Sequence, residues 1–196
     1  MTAGQPTCAA LVLAAGRATR FGSDKRIAAL PSGQTLLATT LGRVQEHFDE
    51  VVVVLRPGDE PQRLGLDAGV KVVYAEHADS GLSASLAAGI AALHGSQAQA
   101  VAILLGDMPW VTSETLQRLC AQAGERHIVL PFHQGQRGHP VLFGRAFWPA
   151  LAQVQGDQGG RQVILHNPHA WRRVDVEDAG VLRDVDTPAD LISQGH

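Results

Sequence analysis

Cysteine is scarce. The 196-residue chain has two, Cys8 and Cys120, far apart and without CxxC or Cys/His spacing. Neither a disulfide framework nor a zinc site is indicated, and a reducing cytoplasm fits this usage best. An excess of charge is also lacking. Sixteen Lys and Arg against nineteen Asp and Glu leave a formal net charge of -3, so there is no global basic field for gripping a long nucleic acid. Small anionic ligands need only a local cluster and stay open. Aromatic residues make up 5% and are not interleaved with basic ones, which removes a base-stacking platform. Trp148 and Trp171 sit among apolar neighbours and are expected in the core or at its rim. No apolar run reaches membrane-spanning length, and MTAGQPTCAALVLAAG lacks the basic flank of a signal sequence. That segment is expected to be a short tail entering a first strand, with no membrane association.

What the chain does have is 45% hydrophobic and 18% charged residues, the balance of a compact globular protein. One domain over residues 1–196 is expected. Apolar runs of strand length recur at Ala9 to Ala14, Val51 to Leu55, Val70 to Tyr74, Val101 to Leu105 and Ile128 to Phe132. They are rich in Val, Ile and Leu and barely alternate, as strands buried on both faces do. Between them, Leu82, Leu86, Ile90 and Leu93, and later Leu116, Leu119, Cys120 and Ala123, recur at helical steps. Strand alternating with helix predicts an α/β fold, with a mostly parallel sheet between helices on both faces, a three-layer arrangement. Near the end, Thr187, Pro188 and Asp190 predict a short closing helix capped by Thr187.

Ligands of such sheets bind beyond the carboxyl ends of the strands. The segments there are GRATRFGSDK, RPGDEP, EHADSGLSAS, GDMPW and HQGQRGHP, which hold most of the polar residues of interest. The first is the most specific. Gly16 and Gly22 let the backbone approach a ligand and aim its N–H groups inward, while Arg20 and Lys25 supply positive charge. This is how a polyphosphate cradle is built, the alternative being a plain strand-to-helix turn with surface cations. Walker A and Rossmann spacings both fail. Asp107, just after the fourth apolar run, is placed either to hold a hard cation or to cap a turn before Met108-Pro109. Gly81-Leu82-Ser83-Ala84-Ser85 opens a helix whose N-terminus offers donors to an anion or a ring edge, or simply carries a Ser cap. It is not a hydrolase elbow, because Ser85 replaces the second Gly. Asp157 is expected to cap the helix running through Ile164, and the paired glycines beside it admit a bulky ligand. The pairs His133/His139 and His166/His169 lack the spacing of a zinc helix and are expected to be scattered surface or packing residues.

LAAGRATRFGSDK resembles the signature of nucleotidyltransferases that activate phosphorylated substrates with an NTP, and it is most similar to the branch that attaches a nucleotide to molybdopterin or molybdenum cofactor. GLSASLAAGI, LLGDMPWV, RGHPVLF, GDQGGR and DVDTPAD extend the resemblance over almost the whole chain. It implies a Rossmann-like, GT-A-like nucleotidyltransferase fold and an Mg²⁺-dependent transfer to a phosphorylated pterin cofactor with release of pyrophosphate. Arg20, Lys25 and Asp107 are then the catalytic set. Leu13, Ala14, Ala15, Gly16, Arg20, Lys25, Gly81, Ser83 and Ser85 would bind the nucleotide. His139, Pro140, Asp157, Gly159 and Arg161 would bind the acceptor, and Asp107 with Asp186 the metal; Asp186 is equally readable as a turn residue. Ala15 in place of a second Gly and the GLSAS segment resemble the cytidylyl branch, which implies CTP, whereas Gly160 departs from the usual GDxGAR pattern. The partners implied are the NTP and the pterin cofactor, with a molybdoenzyme or its chaperone receiving the product. Guanylyl transfer to the same cofactor, transfer to another small phosphorylated acceptor, and a non-catalytic cofactor carrier are the rival readings.

Overall fold

The computed structural model describes residues 6–17, 21–67 and 69–191. The five apolar runs become strands whose ends fall within one residue of those expected: β1 (Cys8–Leu13), β2 (Glu50–Leu55), β3 (Lys71–Tyr74), β4 (Ala100–Leu105) and β5 (Ile128–His133). β3, β2, β1 and β4 lie side by side in that order, all parallel. β1 is flanked on both edges and covered on both faces, so Ala9, Ala10, Leu11 and Val12 have no exposed surface. Their unbroken apolarity follows from that position.

Three further strands were not marked by an apolar run: β6 (Gln136–Arg137), β7 (Val141–Gly144) and β8 (Trp171–Asp175). β7 inserts antiparallel between β4 and β5, β6 pairs antiparallel with β5, and β8 lies parallel beside β5. The eight-stranded sheet is therefore mixed: the loops after β1, β2, β3 and β4 leave its parallel half, and the segment with Arg137 and His139 leaves its antiparallel half. β6 and β7 are too short for a pattern, and in β8 only Val174 is buried, which is why neither declared itself in the sequence.

Helices cover both faces. On one, α1 (Leu36–Gln45) and α3 (Ser113–Ala121) bury Leu37, Leu41, Leu116 and Leu119 against Ala10, Val12, Ala102 and Leu104. Each begins at a threonine whose hydroxyl accepts from a backbone N–H three residues on, Thr35 from Ala38 and Thr112 from Thr115, both at 3.3 Å. On the other face, α2 (Leu82–Ala92), α4 (Trp148–Leu151) and α5 (Arg161–His166) bury Leu86, Ile90, Leu151 and Ile164 against Leu11, Val52 and Val101. Trp148 is in this core and Trp171 at its rim, as their neighbours implied.

Two expectations need correction. Within the described residues the closing helix is a 3₁₀ turn, Pro188–Leu191, where the Asp190 carboxylate accepts from the N–H groups of Asp186 and Thr187. Asp157 caps nothing: α5 starts four residues later, behind Gly160, with no side-chain cap. Cys8 and Cys120, distant in sequence, are free thiols that interact with each other by a hydrogen bond. That bond lowers the Cys8 thiol's pKa and, together with burial, raises that of Cys120.

Candidate active site

The ends of β1 and β4 are stitched together before the chain turns away. Gly106 N–H donates to Leu13 O at 3.0 Å, and Ala14 N–H to Val54 O at 2.9 Å. A Cβ on Gly106 would lie 3.1 Å from Ala14 Cβ and from Leu37 Cδ1, tighter than ordinary packing, so glycine eases the close approach of the two strand ends. The next residue of each strand end then faces one cleft. Asp107 enters from β4, and the Ala14–Arg17 backbone from β1. Val185 N–H donates to Asp107 O at 3.0 Å, which brings the DVDTP segment to the same edge.

Lys25 reaches into this cleft from the short 3₁₀ turn Lys25–Ile27. Its Nζ lies 2.7 Å from Asp107 Oδ2, 2.8 Å from Val185 O and 3.7 Å from Asp186 Oδ1. Asp107 Oδ1 is buried with no hydrogen-bond partner. An orphaned carboxylate oxygen beside a second carboxylate suits a hard cation, whose preference is for oxygen donors. Among the described residues no three His, Cys, Asp or Glu side chains converge, so a cation here would need further oxygens from elsewhere, such as phosphate.

Arg26, beside Lys25, is buried in the wall of the same cleft. Its guanidinium is held by Asp24 and Asp59 and donates to Ala14 O at 2.9 Å. The Arg26 bond holds the Asp24 carboxyl below its ordinary pKa. For Asp59, burial pushes the pKa up, but bonds from Arg26 and the Arg56 backbone outweigh it, and the net shift is also down.

The start of α2 forms one wall. Gly81 has φ +108°, and a Cβ there would overlap Asp157 Oδ1 and Gly156 O, so this turn and the GDQGG loop touch. Ser83 N–H donates to Gly156 O at 3.1 Å. Gly81, Ser85 and Asp157 line a recess continuous with Gly16, closed at its rim by a bidentate pair between Arg17 and Asp79 at 2.7 and 2.8 Å. Ser83 itself is buried and lines no cleft; its residue spacing puts it on the α2 face that packs inward.

A second cavity adjoins the first across Leu13, Leu82 and Leu105. Its floor is apolar, with Ile103, Val141 and Phe143, and its rim carries Arg137, His139 and Arg161, with Gly159 between. His139 is fixed through its backbone, donating to Val181 O at 2.8 Å, and its Nδ1 is buried without a partner. Burial first, then the nearby Arg137 charge, lower its pKa, against a weaker opposing pull from Asp107 and Asp184. Pro140 follows through a cis peptide bond and is buried behind the cavity.

Of the residues named from sequence, Leu13, Ala14, Ala15, Gly16, Lys25, Ser85 and Asp107 thus share one cleft. His139, Gly159 and Arg161 line the cavity beside it, and Gly81 with Asp157 the recess. Asp186 stands behind Lys25, Ser83 and Pro140 are behind the walls, and Arg20 lies outside the described residues. Sequence reasoning passed over Arg26, Asp59 and Arg17. The signal was present, since RPGDEP was among the loops beyond the strand ends, but nothing in a linear pattern pairs Arg26 with a residue 33 positions away.

A family model described as "MobA-like NTP transferase domain" matches residues 10–171. The molybdenum cofactor cytidylyltransferase of Escherichia coli (strain K12) is 25% identical over 185 residues, 93% of each chain. The purine catabolism protein PucB of Bacillus subtilis (strain 168) is 27% identical over 194 residues, again 93% of each. Among solved structures, Rv0371c from Mycobacterium tuberculosis H37Rv in complex with manganese superposes with a TM-score of 0.81 at 28% identity, covering 96% of this chain and 100% of that one. The matched region takes in Leu13, Gly16, Lys25 and Asp107 of the cleft and ends before Val185 and Asp186. The chain belongs to the family of MobA-like NTP transferases.

Proposed function

We propose that this nucleotidyltransferase moves CMP from CTP to a phosphorylated molybdopterin or molybdenum cofactor, releasing pyrophosphate. The observation that carries the reading is the pairing of two cavities across Leu13 and Leu82: one brings Lys25 and Asp107 to the backbone leaving β1, the other has an apolar floor under a rim of Arg137, His139 and Arg161. The first suits a triphosphate on the Ala14–Gly16 backbone. The second suits a flat organic body bearing an anionic group, held by Arg137, Arg161 and His139, with Pro140, Asp157 and Gly159 shaping the approach. Ala15, Ser85 and the GLSAS segment, together with the similarity to the Escherichia coli cytidylyltransferase, support CTP.

An oxygen of the acceptor phosphate forms the new bond to the α-phosphorus. The bond from that phosphorus to the bridging oxygen breaks, and pyrophosphate leaves with the electron pair. Such transfer depends on positioning and on charge stabilisation. Lys25 and Arg20 donate to phosphate oxygens on which charge accumulates, and the backbone N–H groups after Ala14, whose own N–H is taken by Val54 O, fix the triphosphate. His139, held neutral by its burial, orients the acceptor rather than taking a proton, since a phosphate acceptor is already ionised. Asp107 and Asp186 would hold Mg²⁺, and the orphaned Asp107 Oδ1 fits that role. When bound, the ion neutralises phosphate charge and fixes the triphosphate's geometry.

The test is pyrophosphate release by purified protein with Mg²⁺ and molybdenum cofactor, from CTP and GTP separately. Release from CTP is expected. Release from GTP alone overturns the base assignment, and release only with a different phosphorylated acceptor overturns the acceptor.

A further inference from the structure

Arg26 is the most heavily engaged side chain at the candidate site. Guanidinium has five N–H donors, and each finds an acceptor: Nε bonds Asp24 Oδ1 at 2.8 Å, Nη2 bonds Asp24 Oδ2 at 2.7 Å and Asp59 Oδ1 at 2.8 Å, and Nη1 bonds Asp59 Oδ2 at 2.5 Å and Ala14 O at 2.9 Å. Its side chain is 7% exposed. Asp59 also accepts Arg56 N–H at 2.8 Å, which folds the loop after β2 onto the same point.

Those bonds run to both flanks of the cradle. Ala14 O belongs to the backbone that leaves β1, and Asp24 immediately precedes Lys25. A buried cation placed here for phosphate binding would need free donors, and Arg26 has none. Its charge is met by two carboxylates, with Arg56 within 3.6 Å of one and 3.8 Å of the other, so the cluster adds no net positive field. What it adds is geometry. We propose that Arg26 is the positioning residue of the nucleotide cradle, and that Asp59 makes the loop after β2 a working part of the site. The proposal rests on the nucleotide reading of the cleft. Lysine cannot replace Arg26, because a compact ammonium cannot span two carboxylates and a carbonyl in one plane.

The experiment is calorimetric titration of the full chain with CTP and with GTP in the presence of Mn²⁺, on the parent and on Arg26→Ala, Arg26→Lys and Asp59→Asn. Val53→Ala, in the core of β2 and away from the cleft, serves as a destabilised control. Nucleotide affinity is expected to fall about tenfold or more in each clamp variant, a loss of the size that small misplacement of binding groups produces. It should stay near the parent value in Val53→Ala. Added guanidinium should restore much of the affinity of Arg26→Ala and none in Arg26→Lys, a rescue that a merely structural role would not give. If the Arg26 variants do not fold, Asp59→Asn alone decides: it keeps the side chain's shape while removing its charge. Affinity within about twofold of the parent in the folded clamp variants, or an equal loss in Val53→Ala, overturns the proposal. A parent that binds neither nucleotide instead overturns the nucleotide reading, and so separates the two failures.

Discussion

Lys25 Nζ sits 2.7 Å from Asp107 Oδ2, with the Asp186 carboxylate 3.7 Å away on its other side. One ammonium therefore lies between the two carboxylates best placed to hold a divalent cation. The same lysine lines the cleft proposed for the triphosphate, so it cannot serve both partners at once. Binding of metal and nucleotide together would exchange these contacts, with Asp107 turning to the cation and Lys25 to phosphate.

Lys25→Met removes the competing charge while keeping much of the side chain's apolar length. A unit charge about 4 Å away contributes about 1 to 4 kcal/mol between the dielectric of water and that of a protein surface. Mn²⁺ alone should accordingly bind Lys25→Met about tenfold more tightly than the parent, read by the loss of the free-ion electron paramagnetic resonance signal. Nucleotide affinity should fall in the same variant. Equal Mn²⁺ affinity in the two proteins would mean that Lys25 does not compete with the metal.

Asp107→Asn separates binding from chemistry. The amide keeps the shape but supplies neither the charge nor the second oxygen that a hard cation needs. Turnover should fall by about 100-fold or more, the scale on which losing a group that stabilises transition-state charge is felt. CTP should still bind without metal, seen by equilibrium dialysis. Retained turnover in Asp107→Asn would remove Asp107 from the mechanism.

The pH dependence of stability should carry a mark of His139. Its pKa is lowered from 6.5, first by burial and then by Arg137. As pH falls below 6.5, the unfolded chain takes up this proton while the folded chain does not, so stability declines until the folded histidine also protonates. Above 6.5 the group is neutral in both states and costs nothing. Asp24 and Asp59 act in the same direction but in another window: their lowered pKa values stabilise the fold above 3.8, and that contribution is lost as pH drops through the acid range. In urea titrations just below pH 6.5, His139→Gln should show a shallower decline than the parent, by at most about 1.4 kcal/mol per pH unit, one proton's worth. Identical profiles would place the His139 ring in solvent.

Much of this was legible in the linear chain because buried parallel strands write themselves as apolar runs. β1 to β5 did so, and the loops after β1 and β4 carried Lys25 and Asp107. β7 did not, because four residues between a cis proline and a turn give no period, and its antiparallel insertion is fixed only by pairing with β4 and β5. Ser83 and Ser85 were not distinguishable in the sequence. On a helix of small residues, hydroxyls two positions apart face opposite ways, and only Ser85 of the pair reaches the cleft. The Arg26–Asp59 contact was invisible because charge pairing across elements has no spacing rule. It becomes readable only once β1 and β2 are neighbours.

Gly106 tests whether the stitching of β1 to β4 sets the position of Asp107. An alanine Cβ would lie 3.1 Å from Ala14 Cβ and Leu37 Cδ1 and 3.3 Å from Leu13 O, tighter than ordinary contact. Two of these atoms belong to the cradle strand itself, so the strand ends must part. Overpacking of this kind costs about 1 to 3 kcal/mol. Gly95 is the matched control, since a Cβ there meets nothing within 4 Å. Alanine at a compatible glycine position stabilises by about 0.4 to 1 kcal/mol through the unfolded state. In denaturant melts, Gly106→Ala should therefore be less stable than the parent and Gly95→Ala equal or more stable. Nucleotide turnover should fall in Gly106→Ala alone, below what its unfolded fraction accounts for. If Gly106→Ala keeps parental turnover per folded molecule, the close approach of β1 and β4 serves packing and does not place Asp107.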